Sequence, residues 1–284
     1  MIPDSELILN ADGSIYHLNL LPGDLATTII FVGDPDRVGD VSRYFDRIDV
    51  KKGKREFITH TGLLRGKRIS VISTGIGTDN IDIVFNEIDA LANIDFATRT
   101  LKTELVSLDI IRIGTSGSIQ GDIKMGTILA SAYGIGFDAL MQYYVKPYSS
   151  EEEKIKKEVQ KHFHTLTFAP YVGSASKRLL TQIAGDLPTG ITMTAPGFYG
   201  PQGRSVRSIN VYPDLIQRAS SLRLEGRQIT NLEMETAGIY ALANMFGHHA
   251  LSVNAILASR VNDAFAENPK EIIDHAIRYV LDRL

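Results

Sequence analysis

The feature that most constrains this chain is its alternation of short β-branched runs with amphipathic helical stretches. Thr28-Ile29-Ile30-Phe31-Val32 reads as a buried strand, and Arg68–Thr74 as another that ends at Gly75-Ile76-Gly77. A helical stretch follows, with Ile81, Val84, Phe85, Ile88, Leu91 and Ala92 on one face. Leu108–Gly114 and Gly126–Ala132 read as strands, Glu151–Phe163 and Ser176–Ala184 as helices. Gly190–Ala195 and Ile229–Glu233 are strand-like, Met234–Phe246 is a helix ended by Gly247, Ala250–Ser259 a strand and Pro269–Leu284 a helix. Such alternation predicts a layered α/β fold with a mostly parallel sheet, here as a single domain over 1–284. The polar, unpatterned stretch 95–107 is expected to be a surface insertion, and the tyrosine-rich stretch 138–151 a flap.

The chain has 284 residues, 44% of them hydrophobic, which is ample for a buried core without a disulfide or metal staple. It contains no cysteine, which excludes thiol catalysis, Cys-ligated zinc and a disulfide framework, and fits a reducing compartment. The start carries no basic and apolar leader, and no run approaches the ~18 apolar residues of a membrane span. A formal net charge of -3 with mixed signs gives no footprint for nucleic acid. The expectation is a cytoplasmic protein acting on a small molecule, with neither nucleic acid nor membrane as partner.

Ligands of such folds bind beyond the carboxyl ends of the strands, which singles out 33–37, 75–80, 112–118, 195–204 and 259–263. Arg112-Ile113-Gly114-Thr115-Ser116-Gly117-Ser118 reads as a strand emptying into a tight turn. Its backbone N–H groups, hydroxyls and guanidinium would cradle an oxyanion. Gly33-Asp34-Pro35-Asp36-Arg37 has the same character, so the pair suggests one phosphate-sized anion held from two sides. Ion pairing of Arg37 with Asp34 or Asp36 is the structural alternative. Neither loop is a Walker loop, and Gly75-Ile76-Gly77 lacks the third glycine of a dinucleotide fingerprint.

Asn231-Leu232-Glu233-Met234-Glu235 places two carboxylates where a strand becomes a helix. A carboxylate there can accept hydrogen bonds from neighbouring sugar hydroxyls and favour a cationic ribosyl centre. Placement of acids at a helix N-terminus explains the same residues without a ligand. In Ala195–Arg204, Phe198 can stack on a heterocycle while Gln202 and Arg204 offer an acceptor and donors to an imide edge; a Gly/Pro-rich surface turn is the alternative. His17 and Arg55 are unremarkable by themselves. None of the histidines, including His162, His164, His248 and His249, has metal-ligand spacing.

Together these segments resemble the nucleoside phosphorylase-I family, and within it the uridine phosphorylases. The motifs are G-D-P-D-R-V at 33–38, R-E-F at 55–57, S-T-G-I-G at 73–77, R-I-G-T-S-G at 112–117, F-Y-x-x-Q-x-R at 198–204 and N-x-E-M-E at 231–235, in the family's order. The resemblance implies a three-layer α/β/α sandwich with a central, mostly parallel mixed sheet. It implies phosphate binding by Gly33, Arg37, Arg112 and Thr115, with Arg55 donated by a neighbouring subunit. It implies ribose binding by Thr115, Met234 and Glu235, with His17 of the neighbour at the 5′-hydroxyl. It implies a base pocket of Phe198, Gln202, Arg204 and Arg260. Arg260 stands where purine phosphorylases carry a base-protonating aspartate, which favours a pyrimidine. Some relatives bind a monovalent cation; the matching residues are Glu56, Ile76 and Asn80, and Asn80 replaces the family's serine. The 95–107 insertion departs from the family, as does 138–165, which is near the expected flap over the base.

The implied reaction, in pyrimidine salvage, is reversible phosphorolysis: uridine and phosphate give uracil and ribose 1-phosphate. Arg112, Glu235, Arg204 and Gln202 would carry it through an oxocarbenium-like transition state. No cofactor is required, inorganic phosphate is a substrate, and a homodimer or hexamer with shared sites is expected. A purine phosphorylase using Asn262 and Asp263, a nucleosidase and a non-catalytic nucleoside-binding protein remain as alternatives.

Overall fold

A computed structural model describes all residues 1–284, and its contacts divide the chain into two compact units. The first comprises Met1–Ile111 with Phe246–His249, the second Arg112–Met245 with Ala250–Leu284.

In the first unit the elements are β1 (Thr28–Val32), α1 (Asp36–Ser42), β2 (Arg47–Lys54), β3 (Phe57–Leu64), β4 (Lys67–Ser73), α2 (Thr78–Asn93), β5 (Ile94–Asp95), β6 (Thr100–Leu101) and the start of β7 (Asp109–Ser118). β1 is apolar but for Thr28 and wholly buried, as expected for a strand covered on both faces. It pairs in parallel with β4, which continues antiparallel to β3 and then β2. The predicted face of α2 is the buried one: Ile81, Val84, Phe85, Ile88 and Leu91, with Phe31 and Phe85 meeting edge to face at 5.6 Å. The hairpin β2–β3 was not foreseen, because Arg47–Lys54 carries five charged residues and alternates between exposed and half-buried. The 95–107 stretch is largely exposed and includes the small β5–β6 hairpin; Arg99 within it donates to the carbonyls of Ile2, Pro3 and Leu7 and so fastens the N-terminal segment.

The second unit continues β7 and adds β8 (Ile128–Gly136), α3 (Ser150–His162), β9 (Tyr171–Ser174), α4 (Lys177–Ala184), β10 (Thr189–Thr194), α5 (Leu215–Ser221), β11 (Arg223–Leu224), β12 (Arg227–Glu233), α6 (Thr236–Phe246), β13 (His249–Ser259), β14 (Ala264–Phe265) and α7 (Pro269–Leu281). The fold is α/β, but the expected mostly parallel central sheet is corrected. Parallel and antiparallel pairings are mixed, and β7, β12, β10, β8 and β13 close on themselves as a five-stranded barrel. Closure leaves those strands no free edge. Ile119, Ile135, Ile191, Met193, Ile229 and Leu232 are buried in a core that these strands share with neighbouring helices. Helix α3 joins that core through Ile155 and Val159, and a capping box sets its start: Ser149 Oγ accepts from Glu152 N at 3.1 Å while Ser149 N donates to Glu152 Oε2 at 2.9 Å.

One motif needs a second correction. The 112–118 segment is not a tight turn but strand throughout, to Ser118. Its glycines create room instead of a bend: a Cβ at Gly114 would collide with the guanidinium of Arg112, which folds back over the strand. The anion cradle of backbone N–H groups inferred for a turn is therefore absent, and Arg112 itself is the feature to explain.

Candidate active site

Strand β7 fixes Arg112 at 5% exposure, with carboxylates presented by the β12–α6 junction. Arg112 Nη2 donates to Glu235 Oε2 at 2.5 Å and reaches Glu233 Oε2 at 3.1 Å, while Nη1 donates to Asn254 Oδ1 at 3.1 Å. Burial would lower the guanidinium's pKa, but the two carboxylates outweigh it and hold it above its ordinary value. Glu233 also accepts from Thr194 Oγ1 at 2.7 Å, from Glu235 N at 2.9 Å and from Thr236 N at 3.0 Å. Glu233 thus caps the helix, as placement of an acid at a helix N-terminus requires, while Glu235 pairs with Arg112. Asn254 is held in turn, its Nδ2 donating to Ser131 Oγ at 3.1 Å and lying 3.3 Å from Ser252 Oγ. Thr115 and Met234 flank these groups in sequence and are half-buried.

A second cluster of the same unit gathers Phe198, Gln202, Arg204 and Arg260. Arg204 Nη1 donates to Gln202 Oε1 and to the Phe198 carbonyl, both at 2.6 Å, and its guanidinium carbon sits 3.8 Å from the Phe198 ring centre. Arg260 Nη1 donates to the Gln202 carbonyl at 2.8 Å. Gln202 is 2% exposed, whereas Phe198 stands half out of the surface at 52%. Neither arginine has a carboxylate in ion-pair reach; burial and the neighbouring Arg260 push Arg204 down to about 10, so it remains charged at neutral pH. The four residues predicted for the base pocket are therefore brought together. The Phe198 face expected to stack on a ligand is shared with Arg204.

The remaining predicted residues lie in the first unit. Gly33 follows β1, and Arg37 lies in the first turn of α1, where Asp34 Oδ1 accepts from Asp36 N at 3.0 Å. Arg55 is exposed at the tip of the β2–β3 hairpin, with φ of +57°. A left-handed backbone at a residue with a Cβ costs roughly 1–2 kcal/mol, so the hairpin holds that side chain at a small expense. His17 Nδ1 lies 2.7 Å from Glu87 Oε1, and Glu87 also accepts from the backbone N–H of His17 and Leu18. Sequence reasoning missed Glu87, because a helix-face acid seventy residues away gives no local sign of this contact. Glu56 and Asn80 converge around Gly75, where φ is +69° and a Cβ would strike Asn80. Asn80 Nδ2 lies 3.4 Å from the Ile76 carbonyl. The chain holds no cluster of three His, Cys, Asp or Glu suited to a metal ion. No helix is long and apolar enough to cross a membrane.

With this geometry established, similarity to known proteins identifies the class. Residues 27–282 match the Phosphorylase superfamily, and the chain belongs to that family. It is 30% identical over 256 residues to a uridine phosphorylase of Thermococcus kodakarensis, covering 90% of this chain and 81% of that protein. A uridine phosphorylase of Escherichia coli is 27% identical over 279 residues, covering 94% and 96% of the two chains. A crystal structure of a Trypanosoma brucei nucleoside phosphorylase, described as showing uridine phosphorylase activity, superposes with a TM-score of 0.89 at 29% identity, over 98% of this chain and 99% of that one.

Proposed function

We propose that this chain catalyses the reversible phosphorolysis of a pyrimidine nucleoside, converting uridine and inorganic phosphate to uracil and ribose 1-phosphate. The observation that carries the reading is the pair of guanidinium clusters in one unit: Arg112 against two carboxylates, and Arg204 with Gln202 against none.

In this reading Gly33, Arg37, Arg112 and Thr115 bind phosphate, with Arg55 supplied by a second copy of the chain. Phosphate is thereby placed beneath the anomeric carbon, and positioning of this kind removes much of the entropy cost of encounter. Thr115, Met234 and Glu235 hold the ribose, and His17 of the second copy meets its 5′-hydroxyl. As the glycosidic bond breaks, positive charge on the sugar is stabilised by phosphate, and the electron pair passes to the base. Gln202 presents an oxygen with one lone pair given to Arg204, leaving the other for the imide N–H. Gln202 Nε2 and Arg204 donate to the carbonyls on which the charge accumulates, and Arg260 backs them through the Gln202 carbonyl. Donors of this type contribute roughly 2.7–4 kcal/mol each. A uracil anion stabilised in this way needs no general acid. No cofactor and no cation enters any step.

A homo-oligomer, dimer or hexamer, and a cytoplasmic location belong to the same proposal. A stable monomer is expected to be inactive, since His17 and Arg55 would be missing from each pocket; sedimentation alongside activity checks this. The direct test measures products from uridine and from inosine, with and without phosphate. Uracil and ribose 1-phosphate formed only with phosphate support the reading. Preferential cleavage of inosine overturns the base assignment, and cleavage without phosphate makes the enzyme a nucleosidase.

A further inference from the structure

Two carboxylates face Arg112, and their acceptor capacities are used differently. A carboxylate has about four lone-pair sites. Glu233 Oε1 accepts from Thr194 Oγ1 at 2.7 Å and from Thr236 N at 3.1 Å, Oε2 accepts from Glu235 N at 2.9 Å and from Thr236 N at 3.0 Å, and Arg112 Nη2 lies in ion-pair reach of Oε2 at 3.1 Å. It is 4% exposed and has no acceptor site left for a sugar hydroxyl. Its three hydrogen-bond donors are rigid parts of the scaffold, namely a strand hydroxyl and two backbone N–H groups at the start of α6. Its carboxylate is therefore stationary, and the guanidinium that touches it inherits that fixity. Asn254 gives the second hold, and Gly114 leaves the space into which the guanidinium folds.

We infer that Glu233 is a positioning residue for Arg112: it fixes the guanidinium in the orientation that receives phosphate, while Glu235 is the acid that serves the ribose. This rests on the reading of Arg112 as a phosphate ligand. Coulomb's law alone argues the opposite role, because a buried anion beside a phosphate site repels the substrate, and its removal should tighten phosphate binding. A positional role gives the reverse sign. Glutamine at 233 keeps the volume but turns one acceptor oxygen into a donor facing N–H or O–H groups. The guanidinium then loses its fixed neighbour.

The test is steady-state uridine phosphorolysis over a range of phosphate concentrations for the wild type, Glu233→Gln, Arg112→Ala and the double variant, with thermal melts to establish folding. Glu233→Gln is expected to lower kcat/KM for phosphate about 100-fold, the loss typical of an ångström-scale misplacement. In the Arg112→Ala background the same change should be nearly neutral or partly restorative, because the residue it acts through is gone. Equal losses in both backgrounds overturn the proposal, as does tighter phosphate binding by Glu233→Gln. If Arg112→Ala by itself leaves the phosphate dependence intact, the reading of Arg112 fails first and the proposal with it. Should Glu233→Gln not fold, Thr194→Val removes one hydroxyl from Glu233 and keeps the charge. Its expected loss in kcat/KM for phosphate is about 5-fold, the value of one hydrogen bond, and again absent in the Arg112→Ala background. Persistence of that loss there overturns the proposal.

Discussion

Arg112 and Arg204 are both partly or wholly withdrawn from water, yet the protein treats their charges in opposite ways. Arg112 is 5% exposed and lies against two carboxylates, which more than offset the cost of burying it. Arg204 is half-buried, bonds to a carbonyl and an amide oxygen, and has Arg260 as its charged neighbour. The first cation is neutralised in advance and held in one place. The second cluster has no carboxylate in ion-pair contact, and Asp263 acts on Arg260 only from a distance. A base leaving as an anion would supply the counter-ion that Arg204 lacks, at the moment the bond breaks. On the proposed function, these are two uses of arginine: an oriented ligand for an anion already present, and a charge held ready for one still forming.

The comparison can be broken in stages. Arg112→Ala should have the largest effect, because it leaves Glu233 and Glu235 buried against each other. Denaturant unfolding is expected to show a loss of about 3–5 kcal/mol, and phosphorolysis should fall by three or more orders of magnitude, the lower bound set by a donor worth about 4 kcal/mol. Unchanged stability would mean that the carboxylates are not held by this guanidinium. Arg204→Ala should cost uridine cleavage about 100- to 1000-fold, matching roughly 2.7–4 kcal/mol, with much less effect on inosine. Its stability should fall by about 1–3 kcal/mol, since the buried Gln202 oxygen loses its donor. Equal losses on both nucleosides would remove the base-reading role. Gly114→Ala forces the Arg112 guanidinium aside; an overpacking cost of about 1–3 kcal/mol and a raised KM for phosphate are expected, with the uridine KM nearly unchanged. The smallest change is Ser149→Ala, which removes the α3 cap and should lower stability by about 1 kcal/mol while leaving kcat alone.

Much of the fold was legible, where periodicity and burial agree. α2, α7, β1 and β13 follow their apolar patterns closely. β2 escaped because its burial alternates between exposed and half-buried, with no apolar face to read. The 112–118 segment misled for a different reason. Glycine and serine there mimic a turn, whereas Gly114 is small to admit the side chain of Arg112 two residues back. The contact among Phe198, Gln202 and Arg204 was legible because the three are close in sequence. Glu233 was visible as an acid, but its role was not: that depends on Thr194 and Arg112, brought to it by strand pairing across the barrel. Asn254 was missed for the same cause, and Glu87 because its partner His17 is seventy residues away in the chain.

Strand β2 ends the hydrogen-bonded order of strands, opposite in kind to the closed barrel of the second unit. An unpaired strand flank is a template on which another chain can polymerise, and this one bears Arg47, Lys51, Lys52 and Lys54. A second copy approaching along this flank would have to desolvate Lys51 and the Arg47–Asp49 and Lys52–Asp24 ion pairs. The same charges that hid the strand from sequence patterning therefore weigh against strand-by-strand addition of further copies, and high salt, which screens them, is where insolubility should begin.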